Sequence, residues 1–491
     1  MKILIANPPW LEDAHFGVRS GARFPYMTNE LTWEGVPTWI PFPFHPAMAA
    51  ALLKKNGFHA EFWDGVAEGA QQKDFLDRIK AFQPDLYIQE TVAPSYPYDV
   101  DFFQKLREIL PRCVLGVAGL MVTSWGRQMF EENPVFDVGL TYEWEETTLE
   151  LANRLQDGSP LDGVQGLIHR QGSEIILEVR RPSPDLKKLP WPLRDRLPML
   201  RYNDDFAFLP VPNLQMYSSR GCPYKCTFCV WIKARYGNYQ VRYRDPEDIV
   251  SEIEDCLEKW PFRAVYFDDD TFNINKNFTL QICETMQRRG LKIPWAGMCR
   301  ADLFDRETLE ACKKAGMVAV KYGIESADQE ILNGIKKNLN IHKAEEVIRI
   351  TKELGIKVHL TLMVGLPGET EQTLKKTWRF VKRVRPDYMQ FSLATPYPGT
   401  DLYDEAVEKG WIESKKWNEF NADSHAVMRT AALSREDLER WIRKMNLLRF
   451  GLQFVENPWQ CIRTYSRKAL QSPRKLLNAG KYFLKLCQPK P

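Results

Sequence analysis

Short apolar runs alternate with longer amphipathic stretches along the first 150 residues. KILIAN (2–7), HAEFWD (59–64), DLYIQET (85–91), CVLGVAG (113–119) and FDVGLTY (136–142) have strand length and turn residues at their ends. Between them, PAMAAALLKKNG (46–57) reads as a helix, with Pro at its start and Gly at its end. Five strands joined by helices predict an open parallel, Rossmann-like sheet, which takes ligands at the carboxyl ends of its strands. The stretch that follows, LIHRQGSEIILEVRRPSPDLKKLPWPLRDRLP, reads as a β-hairpin running into a proline-rich linker and sets a boundary over 161–210.

From 211 to 410 the alternation returns six times. LQMYSSR, AVYFDDD, PWAGMCR, MVAVKYGIES, KVHLTLMVGLPG and DYMQFSLATPY supply the strands. Helical patterns separate them, as in DPEDIVSEIEDCLEKW (245–260), where Asp245 and Pro246 make an N-cap and first turn. No Gly-rich dinucleotide fingerprint is present. Six βα units of this kind predict a partial (βα)6 barrel with its site at the strands' C-terminal ends. Polar residues gather at those ends: Asp268 to Asp270, Arg300, Glu325 and Thr395. The region 411–491 reads as helical.

The composition of the 491 residues, 44% apolar and 27% charged, is that of a globular protein of two or three domains. A net charge of +3 gives no ground for a nucleic-acid partner. No run approaches the ~20 apolar residues of a spanning helix, and the apolar start is too short for a signal peptide, so a cytoplasmic protein with reduced thiols is expected. After Glu456 there are no acids but eight cations: Arg463, Arg467, Lys468, Arg474, Lys475, Lys481, Lys485 and Lys490. With interleaved Leu, Phe and Tyr they suit peripheral contact with an anionic membrane. A solvated helix is the simpler reading.

Chemistry concentrates in SSRGCPYKCTFCV (218–230), where Cys222, Cys226 and Cys229 have the spacing C-x3-C-x2-C. The other seven cysteines are scattered singly and read as buried small hydrophobes. Structural zinc wants four ligands, and no paired CxxC or HxxxH lies nearby. Three thiolates on one loop suit an iron–sulfur cluster with one iron open. A zinc site completed from a distance and a CxxC redox pair stay open on spacing alone; the pair leaves Cys222 unexplained.

The trio, with Phe228 before its last cysteine and on the first loop of a six-fold βα array, resembles the radical S-adenosylmethionine (SAM) enzymes over about 214–400. The resemblance implies a 4Fe–4S cluster on the three thiolates and SAM on the fourth iron. It also implies reductive cleavage to a 5′-deoxyadenosyl radical, with an external electron donor such as flavodoxin or ferredoxin. Carried over residue by residue, Phe228 falls among the SAM contacts, and Asp269 and Asp270 of FDDDTF fall at the SAM amino group, or cap the next helix. Arg300 and Glu325 fall where ribose and carboxylate are met, with an Arg–Glu ion pair as the plainer alternative. Gly365, Pro367 and Gly368 of GLPGET fall on the adenine side, or form a simple turn.

Ahead of such a barrel, residues 1–160 resemble the cobalamin-binding module of the subgroup that holds anaerobic magnesium-protoporphyrin ester cyclase and the hopanoid methylases. NPPW, ETVAPSYPYDV (90–100), GLMVTS (119–124) and EWEETTLEL (143–151) carry the likeness. It implies Thr91, Ser95, Gly119, Thr123 and Glu143 as corrin contacts. The chain departs from the pattern in three places. Asp13, His15 and Gly17 fall one residue short of D-x-H-x-x-G, Met121 replaces a histidine in GLMVT, and YEWE stands for GEGE. A sheet that only packs on the barrel is the plainer reading. Together these resemblances imply methyl transfer to an unactivated carbon of a small or lipid-like substrate. The alternatives are an oxidative cyclase or rearranging enzyme without methyl transfer, and a non-catalytic iron–sulfur or corrinoid binding protein.

Overall fold

A computed structural model describes residues 1–12, 15–19, 26–28, 31, 37, 39–203, 209–422, 425–456 and 466. The basic cluster Arg463–Lys490 and Asp13 lie outside the described residues, as does the side chain of His15. Among the described residues no helix is long and apolar enough to cross a membrane.

The fold is α/β, with two parallel sheets. The first is built from β1 (Lys2–Asn7), β2 (His59–Asp64), β3 (Leu86–Glu90), β4 (Val114–Ala118), β5 (Val138–Leu140), β6 (Leu167–Gln171) and β7 (Glu174–Leu177). Their spatial order is β7-β6-β5-β4-β3-β1-β2. The first five strands pair in parallel, and β5/β6 and β6/β7 are antiparallel. The sheet therefore has seven strands rather than five. Strand β6 covers the edge of β5, which would otherwise present unpaired backbone groups. Ile168 explains why this hairpin belongs to the sheet: it is buried, and its Cδ1 lies 2.3 Å from where a Cβ on Gly126 would stand. The central strands are buried on both faces, as parallel strands covered by helices must be.

The second sheet is all parallel, in the order β8 (Asn213–Met216), β9 (Ala264–Phe267), β10 (Trp295–Cys299), β11 (Met317–Glu325), β12 (Lys357–Val364) and β13 (Tyr388–Leu393). Side-chain caps start the crossover helices. Asp245, Asn275, Asp305, Asn340 and Thr370 each accept a backbone N–H in the first turn of the helix that follows.

The carboxyl ends of the first sheet meet the loop that follows β8, through buried ion pairs. Arg220 Nη1 lies 2.9 Å from Glu143 Oε1 and 2.8 Å from Glu145 Oε1. Arg242 Nη2 lies 2.7 Å from Glu143 Oε2, and Arg235 Nη1 lies 2.8 Å from Glu90 Oε1. His45 Nδ1 lies 2.9 Å from Glu145 Oε1, and burial, with Arg235 and Arg220 nearby, pushes its pKa down.

Candidate active site

The cysteine loop is set by its stem. Asp269, fully buried, accepts four hydrogen bonds: from Ser218 N and Oγ at 3.1 and 2.6 Å, and from Ser219 N and Oγ at 2.6 Å each. Its neighbour Asp270 accepts the Gly221 N–H at 2.8 Å. Gly221 has φ +99°, and a Cβ there would stand 2.1 Å from the carbonyl oxygen of Gln240. Only glycine fits that position.

Beyond this stem the three thiols face one cavity open to solvent. Phe228, Asp270, Arg300 and Glu325 also line it. Burial raises the pKa of all three thiols, that of Cys229 to about 12, while Lys337 and Arg300 pull Cys226 back. Loading a metal therefore displaces protons. Among the described residues, the one set of three or more metal-type donors gathered within 4.8 Å is Asp162, His169 and Glu178. The trio's sulfurs are thus spread wider than that. All three thiols are free, as are the five described single cysteines, which are buried.

Arg300 and Glu325 do not pair with each other. Arg300 grips Asp302 through Nε at 3.1 Å and Nη2 at 2.9 Å, donates Nη1 to the Lys337 carbonyl at 2.9 Å, and lies 3.6 Å over the Tyr224 ring. Glu325 accepts from Lys337 Nζ at 3.0 Å. Lys337 and Tyr224 went unnoticed in the sequence: one sits in a loop between helices, the other inside the cysteine motif. Asp269 and the GLPGET turn stand outside the cavity lining. There Gly365 packs on Leu438, and Glu369 accepts the N–H of Gly365 at 2.7 Å and of Leu366 at 3.1 Å.

At the first sheet, Thr91 Oγ1 and Ser95 Oγ donate to Asp99 Oδ2 at 2.7 and 2.5 Å. Asp99 is also held by Arg19 at 2.9 Å and Gln89 at 2.7 Å. Thr123 Oγ1 accepts the Tyr142 N–H at 2.8 Å, and Glu143 is taken up by the two arginines. Gly119, at φ +108°, caps the helix Leu120–Glu132 beside Thr91. A second, small apolar cleft opens here, walled by Val92, Ala93, Leu120, Met121, Val230, Tyr397 and Pro398. Val230 and Tyr397 also line the large cavity, so the two spaces share a wall. The lining of the cleft supplies no nitrogen ligand.

The family described as the radical SAM superfamily matches residues 216–381. An uncharacterized methyltransferase of Pyrococcus horikoshii is 30% identical over 404 residues, covering 82% of this chain and 86% of the relative. The anaerobic magnesium-protoporphyrin IX monomethyl ester cyclase of Cereibacter sphaeroides is 27% identical over 469 residues, covering 92% of this chain and 73% of its own. Among solved structures, the radical SAM methyltransferase TsrM of Kitasatospora setae, with cobalamin and a [4Fe–4S] cluster bound, shares the fold. Its TM-score is 0.65 at 17% identity, over 83% of this chain and 75% of that one.

Proposed function

The chain belongs to the radical SAM superfamily, and on that premise we propose that it is a cobalamin-dependent radical SAM methyltransferase acting on an unactivated carbon. The observation that carries the reading is the shared wall. Three thiols face a cavity that adjoins, through Val230 and Tyr397, an apolar cleft at the strand ends of the first sheet. The second sheet is read as a partial (βα)6 barrel and the first as a corrin-binding, Rossmann-like sheet. When bound, the cluster supplies the electron that splits SAM to methionine and a 5′-deoxyadenosyl radical, and cobalamin supplies the methyl group taken from a second SAM.

In this reading Cys222, Cys226 and Cys229 hold the cluster. Phe228, Asp270, Arg300 and Glu325 line the place of SAM, and Asp269 acts by fixing the stem of the loop. The turn at Gly365, Pro367 and Gly368 supports the strand end from outside. Gly119 and Met121 would lie against the corrin. Thr91, Ser95, Thr123 and Glu143 hold the loops that frame it. An external flavodoxin or ferredoxin would supply the electron. The cyclase likeness over 92% of the chain favours a second reading, an oxidative cyclisation without methyl transfer.

The test uses protein reconstituted without oxygen and offered hydroxocobalamin. We expect about four irons per chain, retained corrinoid, and formation of 5′-deoxyadenosine from SAM, with iron lost in Cys226→Ala. Iron without corrinoid would reduce the first sheet to a packing domain. Label from the SAM methyl group in the product separates methyl transfer from cyclisation.

A further inference from the structure

The polar residues around the cluster end of the cavity are mostly engaged with one another, in the pairs already described. Deeper in, that changes. Lys321 on β11, Thr361 on β12, and Gln390 and Ser392 on β13 all line the cavity. Strand register sets Thr361 and Gln390 side by side, level with Gly323 and two residues beyond Lys321, while Ser392, level with Met363, lies two residues further along. Across β10 and β12, Lys321 is level with Met298 and His359. The interior of a sheet of this kind is ordinarily filled by branched apolar side chains.

None of these four side chains has a hydrogen-bond or ion-pair partner among the described residues. The other two lining cations are both held, Arg300 by Asp302 and Lys337 by Glu325. Lys321 is half-buried, and no carboxylate stands within 4.0 Å of its ammonium. A cation drawn into a protein cavity calls for a counter-charge. The Thr361 hydroxyl and the Gln390 amide, two residues further along the next two strands and lining the same cavity, are donors that can join the ammonium on one anion.

We propose that Lys321, with Thr361 and Gln390, binds an oxyanion of the substrate, so that the enzyme acts on a small acidic molecule carrying a carboxylate or phosphate group. The proposal rests on the radical SAM reading for its link to catalysis, though not for the site itself. A neutral lipid would leave the ammonium without a counter-charge.

The test titrates reconstituted protein with benzoate, phenyl phosphate and neutral benzamide, followed by ligand-observed NMR, and with S-adenosylhomocysteine by calorimetry. Wild-type protein should bind benzoate or phenyl phosphate, and whichever binds tells a carboxylate from a phosphate site. Lys321→Met should weaken that binding about tenfold or more, as for truncating one partner of a hydrogen-bonded charge pair. Lys321→Arg should keep it within about threefold, since the charge and donors remain. Gln390→Leu should weaken it less, as a neutral hydrogen bond does. S-adenosylhomocysteine affinity and iron content should not change, and benzamide should not tell the variants from wild type. Equal anion binding by Lys321→Met, or no anion binding by wild type, would overturn the proposal. So would a matching loss of S-adenosylhomocysteine affinity, which would assign the cation to the SAM carboxylate. If iron is not retained while the Lys321 effect persists, the radical enzyme reading fails and the anion site stands.

Discussion

Glu369 is fully buried, and burial pushes its carboxyl up to about 8 against the two N–H groups that hold it down. The folded protein therefore favours the protonated acid. Stability from this group is full below about pH 4.5, the ordinary value, and is lost as pH rises through 8. Glu369→Gln keeps the accepting oxygen and removes the titration. The variant should melt with wild type at pH 4.5 and about 4–5 °C above it at pH 8.5, read by calorimetry. Other residues at the site divide by how far sequence could reach them. The three cysteines declare themselves, because their spacing is local. The partners of Arg300 and Glu325 do not, although Asp302 is only two residues beyond Arg300 and Lys337 only twelve beyond Glu325: the pairing is set by how the turns after the two strands bend, which spacing alone does not give. Asp269 and Asp270 are adjacent in sequence yet aim at different targets, and only the fold tells the stem-holder from the cavity-liner.

The cysteine loop depends on a strand stem that admits no side chain at Gly221. Gly221→Ala would place a methyl against the Gln240 carbonyl at a positive φ, costing about 1–3 kcal/mol for the backbone alone. Iron retained after reconstitution should fall several-fold and the unfolding midpoint should drop, while Cys226→Ala should lose iron without a comparable loss of stability. Apolar runs and turn residues sufficed to find the strands of both sheets, since parallel strands buried on both faces are nearly uniform in character. The hairpin β6–β7 was visible as a hairpin, but its attachment was not. Glu174 and Leu177 at its outer strand are exposed, so its pattern matches that of a free ribbon as well as an edge.

The two sheets are joined by charges removed from water. Replacing one partner, as in Arg235→Met, leaves Glu90 buried without its guanidinium and should cost about 3–5 kcal/mol. Arg235→Met combined with Glu90→Leu should recover most of that loss, because an apolar pair of similar bulk often does as well as a buried ion pair. Denaturant curves of the two single variants and the double variant measure the coupling. The likeness between this chain and its relatives runs through both halves, and so do these contacts: the arginines that flank the cysteine loop are neutralised by acids from the first sheet.

That arrangement has an order in time as well as in space. On the ribosome Glu90, Glu143 and Glu145 emerge well before Arg220, Arg235 and Arg242, and the first sheet, closed by its hairpin, has all its strands before the first of these arginines is made. Until then its rim is acidic, with His45 alone among the four interface bases already present to meet Glu145. The docking surface of the first half therefore carries its carboxylates before their partners exist, and the later arginines supply the counter-charge that lets that surface be buried.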